Sequence, residues 1–169
     1  MKILVSACLL GVRVRYDGQA KETAWIRELS KQHEVLTMCP EVQGGLPVPR
    51  EPAEIHGTSL LILDGHVSDK TGVYTPKGQD VTEAFLKGAE DTLVFCKRHG
   101  INLAILKERS PSCGKSQVYD GSHTGVVIGG VGITAALLKR NGIQVFSEED
   151  EAELSHLFKV QEKHRLNSI

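Results

Sequence analysis

The stretch Lys2-Ile3-Leu4-Val5-Ser6-Ala7-Cys8, with Gly11 three residues beyond it, decides how the rest of the chain is read. Its apolar run is too short for a secretory signal, and its continuation, Gly11-Val12-Arg13-Val14-Arg15, is basic. Lys2–Ser6 therefore reads as a buried first strand that delivers Cys8 to its carboxyl end. No stretch approaches ~18 consecutive apolar residues, so no membrane span is expected and the protein is placed in the cytoplasm.

Working outward, Glu34–Met38, Asn102–Lys107 and Gln144–Phe146 repeat the strand pattern. Between them lie helical periodicities. Glu22–Gln32 is short. Asp80–Arg98 carries Val81, Ala84, Phe85, Gly88, Ala89, Thr92, Phe95 and Cys96 at spacings of three and four, and His99-Gly100 ends it. Ile133–Arg140 closes at Asn141-Gly142, and Glu148–His164 runs from acidic to basic, the order the helix dipole favours. Leu60–Leu63 and His66–Asp69 flank Asp64-Gly65, a hairpin signal. Strands alternating with helices predict an α/β fold: a single compact Rossmann-like domain over residues 1–169, with a mainly parallel sheet, helices on both faces and a small β-hairpin excursion.

The 169 residues suffice for one buried core, and 40% hydrophobic content is ordinary for a globular chain. A net charge of −1 argues against tight binding to long nucleic acid, which rests on a dense basic surface. A small substrate is expected, with the chain acting as a monomer or homodimer.

Four cysteines remain to be placed. In a reducing compartment, cysteines at loop positions point to metal or catalysis rather than disulfides. Cys8, Cys39 and Cys113 each follow an expected strand, on the edge where α/β sheets build their sites. Cys96 lies mid-helix and reads as a core thiol. Their spacing matches neither a ferredoxin run nor a zinc knuckle, so ordinary buried cysteines stay an alternative. The surroundings weigh against that alternative. Cys39-Pro40-Glu41-Val42-Gln43-Gly44-Gly45-Leu46-Pro47-Val48-Pro49-Arg50 and Ser110-Pro111-Ser112-Cys113-Gly114 are rich in residues that fix irregular backbone.

On these segments the chain resembles the thiouracil desulfurase family. The likeness covers nearly the whole chain. It rests on Ser6-Ala7-Cys8-Leu9-Leu10-Gly11, Arg15-Tyr16-Asp17-Gly18, the two cysteine loops with Lys107-Glu108-Arg109 before the second, Gly132-Ile133-Thr134-Ala135-Ala136-Leu137-Leu138 and Asn141-Gly142-Ile143. The resemblance implies a [4Fe–4S] cluster held by Cys8, Cys39 and Cys113 with one iron free of protein ligands. It implies removal of sulfur, as sulfide and without net redox change, from thiolated uracil-type bases or their nucleosides or nucleotides. It further implies Glu41 as the acid/base carboxylate, assisted by Ser110 or Ser112, with Ser110 favoured.

Other residues admit two readings. Tyr16 and Asp17 form a structural turn or a pocket wall. Arg50, Lys107, Arg109 and Lys115 offset cluster charge, bind a phosphate, or are plain surface charges. Thr134 caps its helix, behind a glycine-rich loop at Gly129–Gly132 that reads as a turn or an anion cradle. The seven histidines show no ligand spacing. The competing functional reading is a non-catalytic iron–sulfur or zinc module for sulfur or iron handling or sensing. A thiol-redox enzyme would want a Cys-x-x-Cys pair, which the sequence lacks.

Overall fold

The computed structural model describes residues 1–166, with side chains through residue 164; residues 167–169 of the expected domain lie outside the described residues. In chain order the elements are β1 (Lys2–Ser6), a 3₁₀ turn (Ala7–Leu10), α1 (Ala24–Leu29), β2 (Glu34–Met38), α2 (Pro40–Gln43), β3 (Glu54–His56), α3 (Ser59–Leu63), β4 (Gly72–Tyr74), α4 (Thr82–His99), β5 (Leu103–Leu106), β6 (Gln117–Tyr119), β7 (Val127–Gly129), α5 (Ile133–Arg140), β8 (Gln144–Ser147) and α6 (Glu151–Leu166).

The expected parallel sheet is present as β2-β1-β5-β8. β1 pairs in parallel with β2 from Lys2↔Glu34 to Ser6↔Met38, and with β5 from Ile3↔Leu103 to Val5↔Ile105. Both faces of the central strands are buried, as a sheet sandwiched by helices requires. Ile3, Val5, Leu103 and Ile105 point to one side and pack with Ile26, Leu29 and Leu154 from α1 and α6. Leu4, Ala104 and Leu106 point to the other and pack with Cys96, Ala135 and Leu138 from α4 and α5. Period-two alternation within an all-apolar strand thus divides one core into two layers.

A third cluster joins Ile55, Ile62, Val73 and Val118 to Phe85, Ala89 and Ile133. It fastens an excursion onto α4 and α5. The excursion contains an antiparallel β3–β4 pair, with Ile55 opposite Val73, and its place differs from the sequence expectation. Leu60–Leu63 is not a strand. It lies in α3, whose first turn is capped by Thr58 Oγ1 accepting from the Leu61 amide at 3.3 Å. Asp64 ends that helix and Gly65 follows at φ +84°. A left-handed glycine serves a helix end as readily as a hairpin, and a four-residue apolar run is too short for periodicity to separate the two. A second antiparallel hairpin, β6–β7, was not foreseen.

α2 and α4 meet backbone to backbone. A Cβ on Gly44 would lie 2.0 Å from the Ala84 carbonyl oxygen, and one on Gly88 would lie 2.0 Å from that of Pro40. These two glycines let the short helix carrying Glu41 sit directly on α4.

Candidate active site

A cavity of about 390 Å³ opens where β1, β2 and β5 end. Cys8, Cys39 and Cys113 all line it, while Cys96 lies in the core below the sheet. Each of the three reaches the cavity by a different local device. Cys8 sits in the 3₁₀ turn that Gly11 closes at φ +89°. Cys39 is the N-cap of α2, with Pro40 at the first helical position, where its missing N–H costs nothing. Cys113 lies within a tight turn beyond β5 in which the Gly114 amide donates to the Ser110 carbonyl at 2.9 Å.

All four cysteines are free thiols. Burial pushes the Cys8 thiol up to about 11, and nearby Cys39 adds to the effect. Burial likewise pushes Cys113 up to about 12, with Cys39 and Cys8 adding to it, while hydrogen bonds from Ser6 and Ser112 act the other way. Cys39 is raised by burial too. Cys96 is pushed up to about 11 by burial alone. Cys8 and Cys113 therefore both feel Cys39, and Cys96 stands apart. Burial keeps these thiols protonated, and they would become thiolates only with a cation bound among them. Among the described residues no three His, Cys, Asp or Glu side chains gather at one point for a single metal ion. The thiols instead surround a shared space.

Glu41 enters the same cavity from α2. Its Oε2 accepts from Arg50 Nε at 2.8 Å and pairs with Arg50 Nη2 at 2.7 Å. Its Oε1 accepts from Ser112 Oγ at 2.9 Å. Ser112 Oγ lies 3.0 Å from Ser110 Oγ. Ser110 Oγ already accepts from the amides of Ser112 and Cys113, at 3.2 and 3.1 Å, so its own proton points to Ser112. The hydroxyls are thus ordered Ser110 to Ser112 to Glu41. Ser112 touches the carboxylate directly, and Ser110 stands behind it.

The loop bearing Ser110–Cys113 is held from two sides. Buried Glu108 accepts from the Ser116 and Gln117 amides at 3.0 and 2.9 Å. The first amides of α5 donate to the loop: Ile133 N to Pro111 O at 2.9 Å, and Thr134 N and Ala135 N to Ser112 O at 2.9 and 3.1 Å. The helix start is therefore occupied by protein carbonyls, not open as an anion cradle. Gly132 is the N-cap in place of Thr134, whose Oγ1 is buried without a partner. A Cβ at Gly132 would fall 2.5 Å from the Ser112 carbonyl carbon, so the glycine-rich turn exists to let this loop approach.

The candidate cations are mostly committed. Arg50 also donates from Nη1 to the Val14 carbonyl at 3.0 Å. Lys107 pairs with Glu148 and lines the cavity. Arg109 pairs with Glu149, and Lys115 with Asp150 at 2.8 Å. Tyr16 lines the cavity and is partly exposed, while Asp17 accepts from the Gln19 amide at 3.0 Å and so makes the turn.

Sequence patterns pointed to no role for the far wall. Glu54 and His123 line it, delivered by β3 and by the turn between β6 and β7. Buried Glu54 accepts from the His123 amide at 2.8 Å, and His123 Nδ1 is 3.5 Å from the same carboxylate. Among the described residues the imidazole Nε2 of His123 has no hydrogen-bond partner. Positions 54 and 123 meet only through the hairpins, so no local spacing advertises them.

A thiol-lined, carboxylate-bearing cavity at the carboxyl edge of a parallel sheet describes an α/β enzyme with its site at the usual edge. Residues 3–150 match the 2-thiouracil desulfurase family, and the chain belongs to that family. It is 44% identical over 149 residues to "Uncharacterized protein YbbK" of Bacillus subtilis (strain 168), covering 88% of this chain and 96% of that protein. It is also similar to the solved structure of the [4Fe–4S]-dependent thiouracil desulfidase TudS, at 47% identity and a TM-score of 0.82, over 94% of this chain and 98% of that one. Among the described residues no helix is long and apolar enough to cross a membrane.

Proposed function

We propose that this chain binds a [4Fe–4S] cluster through Cys8, Cys39 and Cys113 and removes sulfur as sulfide from a thiolated uracil-type base, nucleoside or nucleotide. The observation that carries the reading is the sharing of one cavity by three thiols and a hydrogen-bonded carboxylate. The donor set fits the group: three soft thiols, each raised by burial and open on a common space. Bound there, a cluster with one iron free of protein ligands supplies a Lewis acid with affinity for the soft sulfur of a thiocarbonyl.

The chain's own residues manage water and protons. Arg50 occupies Oε2 of Glu41 and leaves Oε1 for proton traffic. In the reaction Oε1 takes a proton from water as its oxygen adds to the ring carbon, and Ser112 Oγ steadies that oxygen on Glu41. The carbon–sulfur bond then breaks as Glu41 gives its proton to the departing sulfur; Glu41 takes the remaining hydroxyl proton as the C=O forms and passes it to solvent. One water is consumed, C=S becomes C=O and sulfide leaves, so no electrons change hands. Glu54 and His123, which line the same cavity, are the groups left to meet the ring.

Anaerobic reconstitution is expected to give a brown protein absorbing near ~400 nm that releases sulfide from a thiolated uracil compound. Colourless protein after reconstitution would reject the cluster, and coloured protein inert toward base, nucleoside and nucleotide would reject the desulfurase. Serine at Cys8, Cys39 or Cys113 is expected to abolish or greatly reduce bound iron. Cys96→Ala is expected to bind iron as the parent does, while losing about 1 kcal/mol of stability to the small void it leaves in the core. Iron assay beside a urea melt separates the two kinds of cysteine.

A further inference from the structure

Ser6 ends β1, two residues before Cys8, and is 2% exposed. A hydroxyl has one proton to give and lone pairs to accept with. The Lys107 amide, just past β5, donates to Ser6 Oγ at 3.0 Å. That bond fixes the rotor, and Ser6 Oγ then donates to Cys113 Sγ at 3.5 Å. Ser112 Oγ also lies within reach of Cys113 Sγ, at 3.6 Å, but its proton goes to the Glu41 carboxylate at 2.9 Å. A charged oxygen at the shorter distance is the stronger acceptor. Among the described residues Ser6 is thus the hydroxyl whose proton is committed to a cavity thiol.

We infer that Ser6 is a positioning residue for the cluster: its O–H donates to the Cys113 sulfur, keeps that ligand on its iron and raises the reduction potential of the cluster. The inference rests on the cluster reading above. The physical step is general. A hydrogen bond to a ligand sulfur stabilises negative charge there, and the reduced cluster carries one more negative charge than the oxidised one. Removing the bond therefore moves the potential downward and loosens the ligand. The placement is economical in structural terms, since the same oxygen clamps β1 to the start of the β5 loop and so fixes the distance between the segments bearing Cys8 and Cys113.

The test compares reconstituted parent, Ser6→Ala, Ser6→Thr and Cys96→Ala. Ser6→Ala is expected to lower the midpoint potential of the bound cluster and to lose iron in air about tenfold faster. Ser6→Thr keeps the hydroxyl and is expected to return both toward parent values. Cys96 is comparably buried but does not line the cavity, and burial alone shifts its thiol, so Cys96→Ala reports what destabilisation alone does; its potential is expected to stay at the parent value. A Ser6→Ala protein with the parent's potential and iron retention would overturn the inference, as would an equal shift in Cys96→Ala. Should Ser6→Thr fail to fold, the contrast between the two alanine variants still decides. A parent that takes up no cluster would overturn the cluster reading itself, and this inference with it.

Discussion

Replacing Glu41 with glutamine is expected to lower turnover of a thiolated uracil by about 10²-fold or more while leaving bound iron at the parent level. That loss corresponds to roughly 3 kcal/mol at the transition state, the scale of acid–base catalysis. Glutamine keeps the length of the side chain and offers Ser112 an acceptor, but it cannot take and return a proton. The variant is not structurally silent. Arg50 has a side chain only 7% exposed and would face a neutral amide. Its bonds to the Val14 and Pro47 carbonyls, at 3.0 and 3.2 Å, survive and limit the damage. A stability loss of about 1–3 kcal/mol is expected beside the catalytic one. Rates must therefore be compared per bound cluster, on folded protein. Turnover at the parent rate would remove Glu41 from the chemistry and leave Ser112 as the next candidate. Cys39→Ser, two residues away, is expected to fail differently, through loss of iron.

The second large effect is expected far from any reacting atom. Gly88→Ala places a methyl 2.0 Å from the Pro40 carbonyl oxygen and 3.3 Å from the Gly44 amide nitrogen. Both are backbone atoms, so no rotamer relieves the clash. α2 must lift from α4, carrying Glu41 with it and pulling on Cys39 at its N-cap. In an isolated helix the same change would stabilise by about 1 kcal/mol, because alanine is the better helix former. In the folded protein it is expected to destabilise by about 3 kcal/mol and to reduce cluster uptake. The opposite signs make the result diagnostic. A urea melt in which Gly88→Ala equals or exceeds the parent would mean that α2 does not dock through these glycines.

The sequence by itself determined the layered sheet, because its evidence is local and redundant. Lys2–Ser6, Glu34–Met38 and Ile133–Arg140 were legible with their observed ends, and the α4 periodicity was misplaced by only one or two residues. The same strand ends marked Cys8, Cys39 and Cys113 and set Cys96 apart, since position along a strand or helix already says which edge or face a residue takes. Asp64-Gly65 carries the turn chemistry but not the identity of the elements it joins: a left-handed glycine ends helices and hairpins alike, and only the packing of Ile62 against Val73 and Phe85 chose the helix. Tertiary structure alone decided the rest of the site. It chose Ser112 over Ser110 as the contact of Glu41 and gave Arg50 to the same carboxylate. It brought Glu54 to His123 and filled the start of α5 with loop carbonyls where an anion had been considered. These pairings join residues 9 to 71 positions apart, and Ser6 meets Cys113 across 107. Periodicity carries information over a few turns of chain, whereas a hydrogen bond across the sheet edge depends on strand order and loop path, which no local pattern encodes.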